Sequence, residues 1–398
     1  MSEPADGPSR SSCHDDGVLS RAYADEICAV GRAAGLDRVG VASAAPFTDT
    51  RVVLERRKAE GLAGSMQFTY RNPARSTEPD RALAGAAALV VGARRYDREV
   101  PPPPRRGRVP ARVARYAAGD HYGELRRGLD VVAARLEADG WSARVVIDDN
   151  ALVDRAAAHR AALGWFGKNA NILVPGIGSW VVLGSVLTTA PLPPADEPVA
   201  DGCGSCRRCL DGCPTGAIIE PGVVDARRCL AWLVQAEGVF PDEHRVALGN
   251  RLYGCDDCQE VCPPSRRADP TTTANTPTPT IESEAWVDVV EVLAADDDAL
   301  LDRFGRWYIP KREPRYLRRN ALVVLGNTAS ATNPDVRDAL TRALGCGDAL
   351  VAAHAVWAAR RLDADDLVAT ALADGGLDGT DPMVRAELDR AIAARGGS

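Results

Sequence analysis

The stretch Cys203-Gly-Ser-Cys206-Arg-Arg-Cys209-Leu-Asp-Gly-Cys213-Pro214 determines how the middle of the chain folds. Two-cluster ferredoxins use this spacing: three closely spaced thiolates hold one [4Fe–4S] cluster, and the fourth thiolate reaches a second cluster. Structural zinc is also bound by four cysteines, but zinc explains neither this spacing nor the Cys-Pro pair that recurs at Cys262-Pro263. We therefore predict a ferredoxin-like module with two [4Fe–4S] clusters.

A second cysteine run is one ligand short. A complete copy needs cysteines at 252, 255, 258 and 262, and the chain has Leu252 at the first of these positions. Cys229 lies between the two runs and is the nearby cysteine that can replace the missing ligand. The first cluster is predicted to bind Cys203, Cys206, Cys209 and Cys262, and the second to bind Cys213, Cys229, Cys255 and Cys258. No ligand role is expected for Cys13, Cys28 or Cys346.

The sequence pattern divides the rest of the chain around this module. Residues 1–18 are polar and are predicted to form a disordered tail, whereas 19–194 alternate strand and helix patterns, which favours an α/β domain. The module covers 195–264, and the Pro/Thr-rich segment 265–280 is predicted to be a linker. From 281 to 398 the pattern is helical, and paired amphipathic segments indicate an all-α, HEAT-like domain.

Composition and charge exclude several classes of protein. Hydrophobic residues make up 45% of the chain and charged residues 26%, which is typical of a globular protein. The net charge of -7 argues against a protein coated in basic residues, although a local basic patch is compatible with it. The N-terminus lacks the apolar core of a signal peptide, and apolar runs fall short of the roughly 20 residues that span a bilayer. We expect a monomeric cytoplasmic protein that has no membrane partner and whose cysteines are ligands rather than disulfides.

Several motifs outside the cysteine runs give the chain a family resemblance. They include Tyr116-Ala-Ala-Gly-Asp-His-Tyr122, Val146-Ile-Asp148 through Asp154-Arg155, Gly164-Trp-Phe-Gly-Lys-Asn169, Tyr253-Gly-Cys-Asp-Asp-Cys-Gln259 and Arg318-Arg-Asn-Ala-Leu-Val-Val-Leu-Gly-Asn327. In these motifs, and from about residue 20 to its end, the chain resembles the epoxyqueuosine reductases. One departure is His121-Tyr122-Gly123, where the family usually has Asp-Tyr-His.

The resemblance implies a reaction and a set of partners. The reaction is reduction of epoxyqueuosine to queuosine at the wobble position of a tRNA anticodon, which is the last step of queuosine biosynthesis. The implied cofactors are cobalamin and the two clusters, and the implied partners are a tRNA anticodon stem-loop and an external low-potential electron donor. Because the chain has no Asp-x-His-x-x-Gly motif, we expect base-off cobalamin without a protein histidine ligand.

The resemblance also assigns roles to individual residues. Asp148 matches the family's proton donor, and an aspartate at a strand end beside a corrin would be desolvated, which raises its pKa toward neutrality. The alternative is a helix cap, a role that fits Asp149 or Asn150 better. Cobalamin contacts are expected from Tyr116, Asp148, Lys168, Asn169 and Asp256, the last of which lies between two ligands of the second cluster.

RNA binding has separate support in a basic segment. Between Arg303 and Arg319 the chain has seven basic residues and one acid, Glu313, with four aromatic residues interleaved. Basic side chains neutralise phosphates and aromatic rings stack on unpaired bases. We predict tRNA contacts at Arg155, Arg315, Arg318 and Arg319. The alternatives are a solvated helix face with core aromatics, and a second basic stretch at 94–115.

Two other functions remain open at this point. A reductive dehalogenase would use the same cofactors, but we expect such an enzyme to carry an export signal and to lack the basic helical segment. An electron-transfer protein of the ferredoxin type would bind no cobalamin, and Asp148 and Lys168 would then have no catalytic context. The absorbance of cob(II)alamin in the reconstituted protein separates this possibility from the other two.

Overall fold

The computed structural model describes residues 18–96, 100–104, 109–267 and 284–395. The predicted tail, apart from Val18, and most of the predicted linker lie outside these residues. The helices of the first half are α1 Arg21–Ala33, α2 Thr48–Ala59, α3 Phe68–Arg71, α4 Pro73–Thr77, α5 His121–Ala138 and α6 Asp154–Arg160. The strands of the same half are β1 Arg38–Ser43, β2 Ala88–Arg95, β3 Pro110–Val113, β4 Ala143–Ile147, β5 Trp165–Phe166, β6 Ile172–Leu173 and β7 Val181–Thr188.

Short elements and then a run of helices make up the second half. The cysteine region contains α7 Arg208–Asp211, β8 Ile218–Glu220, β9 Val223–Val224, α8 Leu230–Leu233, α9 Asp242–Leu248, β10 Arg251–Tyr253, α10 Asp257–Glu260 and α11 Pro263–Arg266. The C-terminal region contains β11 Trp286–Asp288, α12 Val289–Ala294, α13 Asp297–Phe304, α14 Arg315–Thr328, α15 Pro334–Leu344, α16 Ala349–Arg361, α17 Asp365–Ala373 and α18 Pro382–Arg395.

A four-stranded sheet in the order β1-β2-β7-β4 forms the centre of the first half. The alternation of helices and strands agrees with the prediction, but every pairing in this sheet is antiparallel, whereas alternating strands and helices usually form a parallel sheet. The two central strands, β2 and β7, are almost completely buried because helices cover both faces of the sheet. Val90 packs toward α1 and α5 in one core, and Leu89 and Val91 pack toward α6 in the other.

A small sheet connects the three parts of the sequence. Its order is β10-β3-β11, so it joins a strand of the cysteine region, a strand of the first half and a strand of the C-terminal region. Residues 109–118 therefore share one hydrophobic core with the C-terminal helices. The prediction that the chain is helical throughout from 281 was wrong at β11, where Trp286 and Val287 pair with Arg112 and Ala111.

The C-terminal helices stack in two layers. α12, α14, α16 and α18 pack in succession, and α15 and α17 lie beside them. This arrangement buries α14 and α16 on most of their surfaces, because each has helices on more than one side. The HEAT-like description itself stays a prediction. Within the described residues, we find no helix with the length and apolar character required to cross a lipid bilayer.

Hydrogen bonds fix the cysteine region against the central sheet. Ser265, just after Cys262, accepts from the indole N–H of Trp180 through its carbonyl at 2.9 Å and from the backbone N–H of Ser179 through its hydroxyl at 3.0 Å. The hydroxyl of Tyr96 donates to Oε1 of Gln259 at 3.3 Å. These contacts hold the cysteine region directly against the central sheet.

Candidate functional site

The eight predicted ligands lie in two groups. Electrostatic neighbours of the Cys209 thiol are Cys203, Cys206 and Cys262. Neighbours of the Cys258 thiol are Cys213, Cys229 and Cys255. Burial first, and then the neighbouring thiols, raise the pKa of Cys209 and of Cys258. None of the eight forms a disulfide. The two groups contain the same cysteines that the sequence predicts for the first and the second cluster. The assignment of each cysteine as a cluster ligand stays a prediction.

The thiols are held by local backbone geometry. The N–H of Ala217 donates to Sγ of Cys213 at 3.2 Å, and the N–H of Cys203 donates to Oδ1 of Asp201 at 2.8 Å. Gly254 has φ of +74°, and a Cβ there would lie 2.4 Å from that of Ala114, so only glycine lets the second run approach the first half this closely. Across the described ranges, no three histidine, cysteine or acidic side chains converge as ligands of a single metal ion.

A cavity of about 1250 Å³ lies between the sheet and the cysteine region. It exceeds the roughly 300–1,000 Å³ of sites for drug-sized ligands. Its walls include all four thiols of the second group, namely Cys213, Cys229, Cys255 and Cys258. Its walls also include residues that directly follow β4, residues at the start of β7 and residues of helix α6, among them Asp148. The second group of thiols therefore faces the space in which a large cofactor and a substrate could meet.

Asp148 lies on this wall in an unusual backbone conformation. It follows the last residue of β4 and has φ of +47°, in the left-handed region that aspartate tolerates better than most residues. Asp148 is exposed at the cavity surface, but the protein around it partly desolvates the carboxyl and so raises its pKa; the positive charge of Arg155 opposes this rise and Asp149 adds to it. Asp149 instead accepts from the N–H of Ala151 at 2.8 Å, so it stabilises the local turn. Neither Asp149 nor Asn150 caps α6, whose N-cap is Val153.

Two other predicted cofactor contacts lie on the cavity wall. The hydroxyl of Tyr116 accepts from Nε2 of Gln235 at 3.2 Å. The amide of Asn169 donates to the carbonyl of Cys258 at 3.4 Å, which ties the Gly-Trp-Phe-Gly-Lys-Asn motif to the second cysteine run. Both residues therefore remain candidates for cofactor contact.

Lys168 and Asp256 are engaged elsewhere. The Lys168 ammonium donates to the carbonyls of Gly204 at 2.6 Å and Cys206 at 3.0 Å, so it holds the loop of the first cysteine group instead of lining the cavity. The Asp256 carboxylate is buried and accepts from the N–H of Arg115 at 2.9 Å. Burial raises the pKa of Asp256 to about 6. Lys168 therefore holds the loop of the first cysteine group, and Asp256 connects the second cysteine run to Arg115. Neither residue lines the cavity.

Sequence reasoning assigned no role to two polar residues of the cavity, Asp154 and Tyr122. Both line it, and both are electrostatic neighbours of Asp148. Both lie in motifs that carry the family resemblance: Tyr122 ends the motif that begins at Tyr116, and Asp154 lies in the motif that begins at Val146. His121, the unusual residue before Tyr122, is buried 5.6 Å from the ring of Tyr96 and 3.9 Å from Glu124.

The predicted RNA contact at Arg319 was wrong. Its side chain is fully buried, and its guanidinium donates to backbone carbonyls at the end of α8 and just after it, at distances from 2.6 to 3.3 Å. Burial lowers the pKa of Arg319 to about 9. This arginine joins the C-terminal helices to the cysteine region and is not available to a phosphate.

Most other cations of this segment have acidic partners from elsewhere in the chain. Arg318 pairs with Asp297 at 2.5 Å and Arg315 with Asp348 at 2.8 Å. The aromatic residues are mostly core: Phe304, Trp307 and Tyr316 are buried, and Tyr308 is 46% exposed. The second basic stretch lies partly outside the described residues, and within it Arg112 pairs with Glu260. Arg155 is exposed beside the cavity and donates to the carbonyl of Ala170 at 2.8 Å.

Comparison with known proteins agrees with the cysteine pattern. Residues 202–265 match the family described as a 4Fe-4S double cluster binding domain. A protein of Xanthomonas campestris pv. campestris named epoxyqueuosine reductase is 35% identical over 84% of this chain and 95% of its own length. A protein of the same name from Shewanella oneidensis is 32% identical over 90% of this chain and 92% of its own length. The match to a Bacillus anthracis protein of this name has 37% identity and spans 65% of that protein.

Solved structures give the same result at the level of the fold. A crystal structure of selenomethionine-labelled epoxyqueuosine reductase superposes with a TM-score of 0.83 at 28% identity, covering 94% of this chain and 98% of the other. A crystal structure of epoxyqueuosine reductase with an epoxyqueuosine-modified tRNA-Tyr stem loop gives the same values.

Proposed function

Because the chain belongs to the epoxyqueuosine reductase family, we propose that it reduces epoxyqueuosine in a tRNA anticodon loop to queuosine. The observation that carries this proposal is the cavity, whose walls include both the second group of four thiols and Asp148. A source of electrons and a source of protons thus face one space. The solved relative that holds an epoxyqueuosine-modified stem loop supports the choice of substrate.

The residues around the cavity fit cobalamin. The space is large and reaches the thiols of the second group, so a corrin there would lie next to the second cluster. Tyr116 and Asn169 would contact it from the wall. Cobalamin bound there would supply the reductive chemistry that opens the epoxide, with single electrons relayed through two [4Fe–4S] clusters. No histidine ligand to cobalt is needed for this assignment.

Asp148 supplies the proton to the leaving oxygen. Partial desolvation at the cavity surface raises the pKa of this exposed carboxyl, which is the direction that a general acid needs in order to hold its proton near the working pH. Arg155 is close enough to oppose the pKa rise of Asp148, and its exposed position lets it also meet a phosphate of the incoming RNA. The left-handed backbone at Asp148 places the carboxyl at the end of β4, on the cavity wall.

Electrons enter at the first cluster. The loop that carries its ligands is exposed at Gly204, Ser205 and Arg207, whereas the thiols that line the cavity belong to the second group. An external low-potential carrier would reduce the first cluster from solvent, and the second cluster would pass the electron into the cavity. The two clusters thereby connect the protein surface to a site that the carrier does not enter.

The RNA loop approaches the mouth of the cavity. Arg56 and Lys58 are exposed in the last turn of α2, and Arg56 lines the cavity. Phe166 and Tyr308 are exposed aromatic residues, 47% and 46% accessible, and Phe166 lines the cavity. Exposed cations suit phosphates, and exposed rings suit unpaired bases. In this proposal the HEAT-like helices of a monomer support the mouth from one side, and the protein acts in the cytoplasm.

Anaerobic turnover tests the proposed function. Protein reconstituted with iron, sulfide and cobalamin is given a chemical reductant and tRNA that carries epoxyqueuosine, and the nucleosides are analysed by mass. The expected product is queuosine, which lacks one oxygen relative to the substrate. Protein with Cys258→Ala is the control, because it keeps the cavity and loses a ligand of the second cluster. Loaded wild-type protein that yields no queuosine would contradict the proposal.

A further inference from the structure

The turn between β5 and β6 contacts the loops of both cysteine groups. The Lys168 ammonium donates to the carbonyls of Gly204 at 2.6 Å and Cys206 at 3.0 Å. The side-chain amide of the next residue, Asn169, donates to the carbonyl of Cys258 at 3.4 Å. Cys206 belongs to the first group of thiols and Cys258 to the second. Two consecutive residues therefore connect one turn to the backbone of both predicted clusters.

Hydrogen bonds and close packing fix the backbone of this turn. The N–H of Gly167 donates to the carbonyl of Asn171 at 2.8 Å, and the Lys168 carbonyl accepts from the N–H of Gly222 at 2.9 Å. A Cβ at position 167 would lie 2.7 Å from Oδ1 of Asn169, a contact that glycine avoids. The Lys168 side chain therefore extends toward the first cysteine group from a backbone that is held on both sides.

The charge of Lys168 differs in its surroundings from that of Arg207, a cation of the cysteine loop itself. Lys168 is partly buried, and its two acceptors are neutral carbonyls that leave its positive charge uncancelled. The Arg207 side chain is 64% exposed and lies 4.0 Å from the Asp211 carboxylate. Water and salt screen an exposed charge, whereas a partly buried charge acts more strongly on its neighbours. Of these two cations, Lys168 should therefore affect the first group of thiols more.

We propose that Lys168 is a positioning residue of the first cluster, which holds the ligand loop and raises the reduction potential of the cluster by its positive charge. This inference rests on the proposed function, in which the first cluster accepts electrons from the external carrier. In each transfer the carrier loses one electron and the cluster gains it, so the cluster with its thiolates becomes more negative by one charge. Net charge and hydrogen bonding around a cluster set its potential, and a nearby ammonium stabilises the reduced form. Asn169 holds the second loop with a neutral amide and adds no such charge.

A redox titration followed by electron paramagnetic resonance tests this role without cobalamin or tRNA. In protein reconstituted with iron and sulfide, Lys168→Met should lower the equilibrium constant for reduction of the first cluster roughly tenfold. For a one-electron couple this is a downward shift of about 59 mV. Lys168→Arg keeps the charge and should stay close to wild type, and the control Arg207→Met should shift the potential much less. The same shift should appear when Lys168→Met is combined with Cys229→Ala, in which only the first cluster is expected to remain.

A second neutral variant separates the charge from the hold on the loop. Lys168→Gln keeps a side-chain donor and should show the downward shift even if Lys168→Met loses iron from the first cluster. Potentials equal to wild type in Lys168→Gln, or an equally large shift in Lys168→Arg or Arg207→Met, would overturn the inference. If wild-type protein forms no queuosine but the potentials shift as described, the proposed function fails while the role of Lys168 is supported.

Discussion

Replacing Arg319 with methionine tests how the C-terminal helices support the second group of thiols. The Arg319 guanidinium is fully buried and donates hydrogen bonds to four backbone carbonyls, those of Leu233, Val234, Ala236 and Gly238. These carbonyls belong to the last residue of α8 and to the segment after it, and α8 begins directly after Cys229. Arg319 thus connects α14 to the segment that positions a predicted ligand of the second cluster.

The expected cost follows from these contacts. A buried carbonyl that loses its donor costs about 1–3 kcal/mol, and removing one partner from a buried charged network costs about 3–5 kcal/mol. Methionine fills much of the same space and donates no hydrogen bond. We therefore expect Arg319→Met to lower the free energy of unfolding by about 3–5 kcal/mol, a large part of the roughly 5–15 kcal/mol that stabilises a domain.

Urea denaturation of both variants provides the measurement and its control. Arg318→Met changes the neighbouring residue, whose partner Asp297 is 64% exposed, so a surface pair of this kind should cost only about 0–1 kcal/mol. In reconstituted Arg319→Met protein, the spectrum of the second cluster should also weaken before that of the first on warming. Equal and small losses for the two variants would refute the buried-network reasoning. A loss of tRNA affinity at unchanged stability would restore Arg319 as an RNA contact.

Three further predictions concern the ligands, the proton donor and a buried histidine. Cys229→Ala should reduce the iron content from about eight atoms per chain to about four, whereas Cys28→Ala should leave it unchanged, as iron and sulfide analysis would show. Asp148→Asn should keep both clusters and should lower the rate of queuosine formation by about 10²–10⁴-fold. If this variant is instead nearly as active as wild type and Asp149→Asn is inactive, Asp149 is the proton donor. Burial holds the pKa of His354 well below 6.5, so this histidine stays neutral in the folded protein. The folded state therefore loses stability as the pH falls below the pKa that the histidine has in the unfolded chain. In denaturation experiments from about pH 7 to about pH 5, His354→Gln should reduce the change of the free energy of unfolding with pH. An unchanged slope would mean that other groups cause the pH dependence.

The sequence by itself determined the chemistry of the cysteine region. Ligands two or three residues apart belong to the same stretch of backbone, so their spacing predicts a cluster without knowledge of the rest of the fold. The match of residues 202–265 to a double-cluster family agrees with that prediction. The role of Cys229 was inferred only from the gap at Leu252, and it stays a prediction although the thiol lies with Cys213 and Cys258.

Only the tertiary structure decided which cations of the basic segment are available to bind RNA. Counted along the chain, residues 303–319 have seven cations and one acid. Folding brings Glu237, Asp297 and Asp348 to these cations and buries Arg319 entirely. Local charge counts could not predict this, because the neutralising acids lie outside the segment in sequence and reach it only through packing.

For Asp148, too, the sequence predicted the position along the chain, and only the packing of distant residues decided its surroundings. A motif placed it at the end of a strand, and the structure has β4 ending at Ile147. Its left-handed φ and the cavity that it shares with four thiols arise from the packing of β4, α6 and the cysteine region. Proton affinity depends on desolvation and on charges brought close in space. Residue identity and spacing therefore set the chemistry available to this protein, and tertiary packing set which groups could use it together.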